Sequence, residues 1–470
     1  MTSNGGSGAG PSAQHAGTGL RRAPRASQAG VASTVVFRRW LAAIVLVAVI
    51  LRAGLLFYAE AHPEPFDFPD SYRYVRVARN LAAGLGPIES DTVRAGTDPL
   101  YPLILSWGIR LGAEDAVAVM RFGRIANALA AVASILILAA LTRRLVGDQA
   151  ALIAAAYLAV DPILLFFNAL VLTETCYIAL LLAGFYAVLR MGEARPLGHI
   201  GWEPARRDRP IPRTTSSSPF LWACLAGACI GLGTMMRSTN LFMPLALMPF
   251  VWLFALRNET GSTRRRIGVA ACFLLMAIVA LVPSAVRNYR LFGQLTLTRS
   301  GGGASLMEAL GPWADGGPGM EKIVYPPFPD GADELTRDRL CRAAAIDWAK
   351  SHPWAVARLA WIKLLRTWSI TLHATGYSSI LYRVICWLSV APVFVMALVG
   401  VWRLRRKPAL VGLLLLPAVY FTLIHLVFVG SVRYRLPAVP FLFVLAAAGI
   451  CLCLIPENRQ RAESGRRQAG

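Results

Sequence analysis

Long runs of apolar residues recur along the chain, each close to the ~20 residues that a helix needs to cross a bilayer. Most are separated only by short polar turns. The pattern predicts an all-α integral membrane protein with about ten spans, at residues 40–58, 125–141, 149–167, 174–189, 220–236, 240–256, 267–283, 384–402, 409–429 and 438–454.

Two polar segments on the same side of the predicted membrane, residues 60–124 and 284–383, are too long to be turns. Irregular polar backbone is unfavourable in lipid, so we expect these loops to hold the chemistry. Within the first, residues 70–81 place apolar side chains at helical spacing, with Arg73 and Arg76 on another face. This spacing predicts an amphipathic interfacial helix.

The second loop carries Trp354, Trp361 and Trp368 at seven-residue intervals, with Lys363 on the opposite side of the predicted helix. Aromatic residues in this arrangement suit the headgroup level of a membrane. Anchorage is therefore favoured over ligand binding for this stripe. Cys341 falls well inside the same loop, where a thiol reagent could reach it if it is exposed.

The charge of the chain is strongly basic, with a formal net value of +22 over 470 residues. The predicted spans divide it unevenly: one side holds 25 basic and 7 acidic residues, and the other holds 22 and 19. This is the positive-inside asymmetry of membrane insertion, and it removes the need for a nucleic-acid partner. We expect a multi-pass protein of the cytoplasmic membrane with both termini cytoplasmic. Residues 1–39 would be a disordered basic tail, residues 40–455 the membrane domain and residues 456–470 a second tail.

Eight cysteines are present, but no pair has the C-x-x-C…C-x-x-C spacing of a metal site. Most fall in or beside predicted spans, where we interpret them as small core residues. The sequence therefore indicates no metal ligands, and it leaves any cofactor unknown.

Acidic residues are costly near the bilayer, so their positions carry information. They collect at the predicted outer edges: Asp67, Asp70, Asp98, Asp161 and Glu174. An ion-coupled transporter would more often have matched halves and a carboxylate at the midplane of a broken helix. The distribution instead favours an enzyme that works on an amphiphile at the outer face, with a partly desolvated carboxylate as general base.

Permanent cations are needed near a phosphate leaving group, and arginine suits this task because it binds phosphate oxygens bidentately. Candidates at outer span ends are Arg287, Arg433 and Arg435, and Arg52 could point to the same place. The alternative for each is a snorkelling side chain neutralised by lipid headgroups. Arg433 and Arg435 frame Tyr434 in a short loop, which makes them the stronger pair.

A series of short motifs occurs in the order of the predicted topology: Phe66-Asp67-Phe68-Pro69-Asp70, Asp98-Pro99-Leu100-Tyr101-Pro102, Leu172-Thr173-Glu174, Pro283-Ser284-Ala285-Val286-Arg287-Asn288, His352-Pro353-Trp354 and Arg433-Tyr434-Arg435-Leu436-Pro437. This series resembles the phospholipid-carrier-dependent glycosyltransferases of the GT-C superfamily, which include protein O-mannosyltransferases and lipid A aminoarabinose transferases. The resemblance covers about residues 40–455.

The resemblance implies an inverting sugar transfer from a polyprenyl-phosphate donor, with a first-loop aspartate activating the acceptor. Asp70 matches the family's leading acid, but Ser71 stands where many members have a second acid, so Asp67 could share the role. A helix N-cap is the structural alternative for Asp70. The implied substrate-binding residues are Tyr74, Asp98, Glu174, Arg287, Arg433 and Arg435.

We therefore expect a GT-C membrane glycosyltransferase whose partners are a polyprenyl-phosphate sugar, membrane lipids and a glycan, lipid or protein acceptor. Two alternatives remain open. One is a ligase that uses a polyprenyl-diphosphate-linked glycan, and the other is a lipid or solute transporter.

Overall fold

The computed structural model describes residues 26–192, 218–255, 263–371 and 379–454, which form helices joined by loops, with no strand among them. The first half of the described chain contains nine helices: α1 (Ala26–Ala61), α2 (Pro69–Ala82), α3 (Leu100–Arg110), α4 (Ala116–Leu145), α5 (Asp148–Val160), α6 (Pro162–Ala169), α7 (Glu174–Arg190), α8 (Pro219–Met236) and α9 (Met243–Ala255).

The second half of the described chain contains eight more: α10 (Thr263–Phe292), α11 (Gly302–Ala309), α12 (Glu334–Ser351), α13 (Pro353–Thr367), α14 (Ile380–Arg403), α15 (Pro408–Val427), α16 (Val432–Arg435) and α17 (Val439–Cys453). Helices α2, α3 and α11 to α13 lie in the two long loops, and most of the others are apolar enough to cross a membrane.

Within the described ranges, eight helical segments are long and apolar enough to span a bilayer, including Ser238–Ala255 around α9 and Val432–Cys453 around α17. Helices α5 and α6, which meet at a bend of 50°, make a ninth if the pair crosses as one span. Helix α7 has 17 residues, which is at the short end of the range for a transmembrane helix. If α7 also crosses, the number of spans equals the ten predicted. The predicted all-α membrane fold is confirmed.

The last span, α17, lies at the centre of the bundle, and α1 is the least buried span. Close packing around α17 depends on small residues. A Cβ atom at Gly400 of α14 would lie 2.0 Å from the Leu445 carbonyl oxygen, and one at Gly449 would lie 2.3 Å from that of Met396. These glycines let the backbones of α14 and α17 touch, as is common between helices in membranes.

The predicted tail was wrong in part. Helix α1 begins at Ala26, so residues 26–39, which the sequence assigned to a disordered segment, continue the first span as helix. The remainder of that tail, residues 1–25, lies outside the described residues, as does the second predicted tail, residues 456–470.

The amphipathic helix predicted at residues 70–81 is confirmed as α2. Val77 and Ala78 are buried, whereas Arg73 and Arg76 are exposed. Asp70 does not cap this helix. The residue at the N-cap position is Phe68, which makes no side-chain cap bond, and Asp70 lies inside the first turn.

The predicted aromatic helix is α13, on which Trp354 and Trp361 are 87% and 61% exposed. Lys363 faces the other way and is fully buried, and its Nζ donates to the Val427 carbonyl oxygen at the end of α15 at 2.9 Å. Burial lowers the pKa of Lys363 to about 8. Trp354 and Trp361 agree with the predicted stripe, but Trp368 does not: it follows the last turn of α13, is half-buried against the bundle, and donates through Nε1 to the Thr422 hydroxyl at 2.9 Å. Membrane anchorage by the two exposed tryptophans stays a prediction.

A second, smaller apolar core lies in the large loop, separate from the core of the bundle. Met307 of α11, Leu310 directly after that helix and Ala345 of α12 belong to it. Cys341 belongs to this core and is only 2% exposed, so the exposure that labelling by a thiol reagent requires is not met. The cause is the apolar face of α12, which turns Cys341 inward.

Candidate active site

Four charged side chains from four separate segments meet at one end of the bundle: Asp70, Glu174, Arg237 and Arg433. Arg433 lies between the two acids, with its Nη1 2.7 Å from Asp70 Oδ2 and its Nε bonded to Glu174 Oε1. Arg237 Nη1 donates to the same Glu174 oxygen at 2.7 Å. The four formal charges cancel, which is what allows Glu174 to be only 1% exposed. We call this group the ionic cluster.

Local sequence explains how each member is positioned. Pro69 begins α2 and places Asp70 in its first turn, while Glu174 is the first residue of α7. Arg237 follows the last residue of α8 in an extended conformation. Arg433 lies on the one-turn helix α16, which Ser431 begins by accepting a hydrogen bond from the Arg433 N–H at 3.4 Å.

The Asp70 carboxyl is held ionised. Burial raises its pKa, but the charge and hydrogen bond of Arg433 outweigh burial and hold the pKa below its usual value. Neighbouring Tyr74 is kept protonated, because burial and the Asp70 charge raise its pKa to about 12. The cluster therefore presents a carboxylate beside a neutral phenol.

A second polar group adjoins the cluster through Arg237 and Ser238. The Ser238 N–H donates to Asp98 Oδ2 at 2.9 Å, and Arg299 Nε lies 3.8 Å from the same oxygen. Burial raises the pKa of Asp98, with Arg299 opposing it. Glu308 on α11 is also buried, and burial raises its pKa. The positive charge of Arg299 lowers this pKa and the negative charge of Asp70 raises it, so Glu308 lies near both groups.

Of the predicted site residues, the structure brings Asp70, Tyr74, Asp98 and Glu174 together with Arg433. Arg287 lies at the edge of this region, where its Nε donates to Asn288 at 2.8 Å and its charge reaches Asp98.

Two predicted residues lie apart from the ionic cluster. Asp67 is exposed, and its carboxylate accepts a hydrogen bond from the Tyr72 phenol, which raises the pKa of Tyr72. Arg435 is 2% exposed and donates to the carbonyl oxygens of Thr367 and Ser369. It lines a different cavity together with Asp161, whose carboxylate caps α6 at the bend of the broken span by accepting from Leu164 N–H at 2.8 Å. The prediction that Arg433 and Arg435 act on one phosphate is therefore not supported by their placement.

Sequence reasoning missed Arg237, Arg299 and Glu308. Arg237 carried a signal, since it is a basic residue in a very short loop on the side predicted to be outside, against the charge asymmetry. Arg299 and Glu308 lie in a Gly-rich stretch with no such mark. Among the described residues, no three His, Cys, Asp or Glu side chains are grouped as metal ligands.

Glu334 at the start of α12 joins the two long loops behind Asp98. Its Oε2 accepts from the backbone N–H groups of Arg94 and Ala95 at 2.8 and 3.1 Å, and its Oε1 is bonded to the Ser300 hydroxyl. These contacts hold the segment before Asp98 against the segment that carries Arg299.

Replacement of Glu334 by alanine should loosen this junction, because hydrogen bonds to a charged group contribute about 1.5–3 kcal/mol each. Hydrogen–deuterium exchange at Arg94 and Ala95 should become faster in the purified protein. Glu321→Ala removes an exposed carboxylate and should change local stability by less than about 0.5 kcal/mol. Equal exchange in the two variants would show that Glu334 does not hold the loops.

A family model described as dolichyl-phosphate-mannose-protein mannosyltransferase matches residues 99–199. No curated protein sequence matches the chain.

Solved structures are similar over most of the chain. The oligosaccharyltransferase AglB from Archaeoglobus fulgidus, in complex with an inhibitory peptide and a dolichol-phosphate, has a TM-score of 0.52 and 12% identity, covering 92% of this chain and 52% of its own. The apo form of the oligosaccharyltransferase from that organism has a TM-score of 0.50 and 14% identity, and the match covers 90% of this chain and 52% of the oligosaccharyltransferase. ArnT from Cupriavidus metallidurans, bound to undecaprenyl phosphate, has a TM-score of 0.37 and 15% identity, and the match covers 89% of this chain and 78% of ArnT.

This chain thus spans about half the length of the oligosaccharyltransferase that it resembles. The family model over residues 99–199 and the fold shared with the oligosaccharyltransferase both agree with the GT-C resemblance that the sequence motifs indicated.

Proposed function

We propose that the chain, with its GT-C type fold, is a membrane glycosyltransferase that moves a sugar from a polyprenyl-phosphate donor to an acceptor on the outer face of the membrane, with inversion. The ionic cluster is the observation that carries this proposal. It puts an ionised carboxylate and two arginines at one end of a membrane-spanning bundle, where a lipid-linked phosphate and a water-borne acceptor could both arrive.

In the proposed reaction Asp70 accepts the proton of the acceptor hydroxyl or amine. The acceptor atom forms a bond to the anomeric carbon as the bond from that carbon to the phosphate oxygen breaks, and polyprenyl phosphate leaves. A single displacement of this kind inverts the anomeric centre. Arg433 and Arg237 would stabilise the departing phosphate, since their charges do not titrate.

The position of Arg433 suggests how the base is activated. In the resting protein its guanidinium lowers the pKa of Asp70 and so makes the carboxylate a weak base. A donor phosphate that draws Arg433 towards itself would weaken the contact with Asp70. The pKa of Asp70 would then rise, and proton abstraction would become easier once donor is bound.

A deletion strain tests the function in the cell. Its surface glycolipids and glycoproteins, compared with wild type by mass spectrometry, should lack one sugar modification. Reintroduction of the wild-type chain should restore that modification, and reintroduction of the Asp70→Asn variant should not. An unchanged set of surface glycans would contradict the proposal.

The outer location of the cluster can be tested by thiol labelling of intact cells. Lys322 on the large loop and Arg406 in the turn between α14 and α15 are both exposed, so a cysteine at either position can be labelled. In a Cys453→Ser background, which removes the exposed natural thiol, a membrane-impermeant reagent should modify Lys322→Cys at once. It should modify Arg406→Cys only after permeabilisation, and the reverse pattern would invert the topology.

A further inference from the structure

A buried lysine lies behind the turn that leads to Arg433. Lys363 of α13 is fully buried, and within the described ranges no carboxylate pairs with it. Its Nζ donates to the carbonyl oxygens of Val427 and Leu426 at 2.9 and 3.4 Å. These carbonyl groups belong to the last turn of α15, where the helix itself offers no further donors. The ammonium supplies those donors, and its positive charge is favourable at this end of a helix.

The turn between α15 and α16 also packs directly on the backbone of Lys363. A Cβ atom at Gly430 would lie 2.5 Å from the Lys363 carbonyl oxygen, so only glycine allows this approach. The Gly430 N–H donates to the Gly316 carbonyl oxygen at 2.8 Å, which ties the turn to the segment after α11. Lys363 therefore holds the turn at two places, through its side chain at the end of α15 and through its backbone at Gly430.

The position of Arg433 depends on this turn. Arg433 lies on α16, a helix of four residues, which is too short to hold its own place. A ring contact continues the path from α15 to α16: the His425 ring stacks on the Tyr434 ring with centroids 4.1 Å apart, and His425 Nδ1 lies 2.9 Å from the Val429 carbonyl oxygen. The end of α15, the turn and α16 are thus one connected unit that rests on α13.

We propose that Lys363 is a positioning residue that, through this turn, holds the Arg433 guanidinium in the ionic cluster. Lys363 does not itself reach the cluster, since its ammonium is bonded at the end of α15. A buried ammonium is costly to desolvate, and an apolar side chain would suit the packing of α13 on α15 at lower cost. The need to hold the turn explains why a lysine stands there. The inference rests on the proposed function, which gives Arg433 its role.

Replacement of Lys363 by methionine removes the ammonium and keeps an unbranched side chain. Sugar transfer should fall by about 10–10²-fold, the loss expected when a group in the site is misplaced by about 1 Å. The loss should divide between limiting and saturating donor as it does for Arg433→Lys. Thr422→Val is the matched control, because Thr422 accepts from Trp368 Nε1 at 2.9 Å and so joins the end of α13 to α15 away from the turn. This control should lower thermal stability and leave transfer close to wild type.

Replacement of Gly430 by alanine disturbs the same turn and leaves the Lys363 side chain in place. The added methyl group would meet the Lys363 carbonyl oxygen, so it should push the turn away from α13 and lower transfer as Lys363→Met does. Gly412→Ala on α15 is its control, since a Cβ there would meet the Phe250 ring at an ordinary 3.4 Å. The Gly430 variant decides the question if Lys363→Met does not fold.

A double-variant cycle tests whether Lys363 acts through Arg433. In an Arg433→Lys background, Lys363→Met should lower transfer by less than about twofold more, because two residues that act through one contact are not additive. Amide hydrogen exchange at residues 429–434 should also be faster in Lys363→Met than in Thr422→Val. The exchange measurement does not depend on sugar transfer.

Three results would overturn the inference: wild-type transfer by Lys363→Met, full additivity with Arg433→Lys, or equal exchange at residues 429–434 in Lys363→Met and Thr422→Val. Each of these would leave the proposed function standing. The proposed function fails instead if the wild-type chain transfers no sugar, and the exchange measurement still decides in that case whether Lys363 holds the turn.

Discussion

Replacement of Asp70 by asparagine is expected to lower sugar transfer by about 10²–10⁴-fold, the usual contribution of a general base. Asparagine keeps the size of the side chain and can still accept a hydrogen bond from Arg433, but it cannot take a proton at neutral pH. The structure removes the helix-cap explanation, since Asp70 makes no cap bond and points to Arg433. Transfer should be measured in membranes with a lipid-linked donor, normalised to the amount of inserted protein.

Asp67→Asn is the matched control for this experiment. Asp67 is exposed and bonded to Tyr72, outside the ionic cluster, so its loss should leave transfer close to wild type. If Asp70→Asn were active and Asp67→Asn inactive, the base would be Asp67, which the sequence left as the alternative.

Arg433→Lys is expected to reduce transfer by about 10²–10³-fold, comparable to the loss of one preorganised donor to a developing anion. Arg433 reaches Asp70 through Nη1 and Glu174 through Nε, and a lysine ammonium cannot reproduce both contacts. The variant keeps the charge, so a loss of activity would show that the geometry of the guanidinium is required. Rates at limiting and at saturating donor separate weaker donor use from slower chemistry.

Arg435→Lys serves as the comparison for Arg433→Lys. The Arg435 guanidinium binds two backbone carbonyl oxygens, so we expect this variant to lower thermal stability while the dependence on donor concentration is unchanged. Equal loss of donor use in both variants would restore the sequence-based prediction that the two arginines share one phosphate.

The structure separates the two arginines for a geometric reason, and their shared role stays a prediction. Residues two apart on a helix do not face the same side, and Arg433 and Arg435 lie on the single turn of α16. Asp67 and Asp70 are similarly separated, because Phe68 is extended and begins a new element between them. Spacing in the sequence alone could not show that either pair of side chains is separated, because the separation depends on where the helices begin.

The spans and the amphipathic helix α2 could be predicted because they depend on patterns within single segments. The apolar runs predicted the spans, and the amphipathic spacing predicted α2. The order of the family motifs grouped Asp70, Glu174 and Arg433 correctly. Arg299 and Glu308 could not be found in this way, because they enter the site through contacts between loops that are far apart in the chain. Arg237 was missed although its position in a short outer loop marked it.

The bend at Asp161 is a feature that hydropathy alone does not show. The run from 149 to 167 looks like one span, but the Asp161 carboxylate accepts the Leu164 N–H and begins a new helix at an angle of 50°. A capping carboxylate explains this acidic residue without ion coupling.

We expect the chain to use a polyprenyl-phosphate sugar through its ionic cluster. The most direct measurement is single-turnover reaction of the purified protein, in liposomes, with a radiolabelled polyprenyl-phosphate sugar and a membrane extract as the source of acceptor. Released polyprenyl phosphate and labelled acceptor should appear together with the wild-type chain and be almost absent with Asp70→Asn. Equal release of polyprenyl phosphate by the two proteins, or no release by either, would contradict the account.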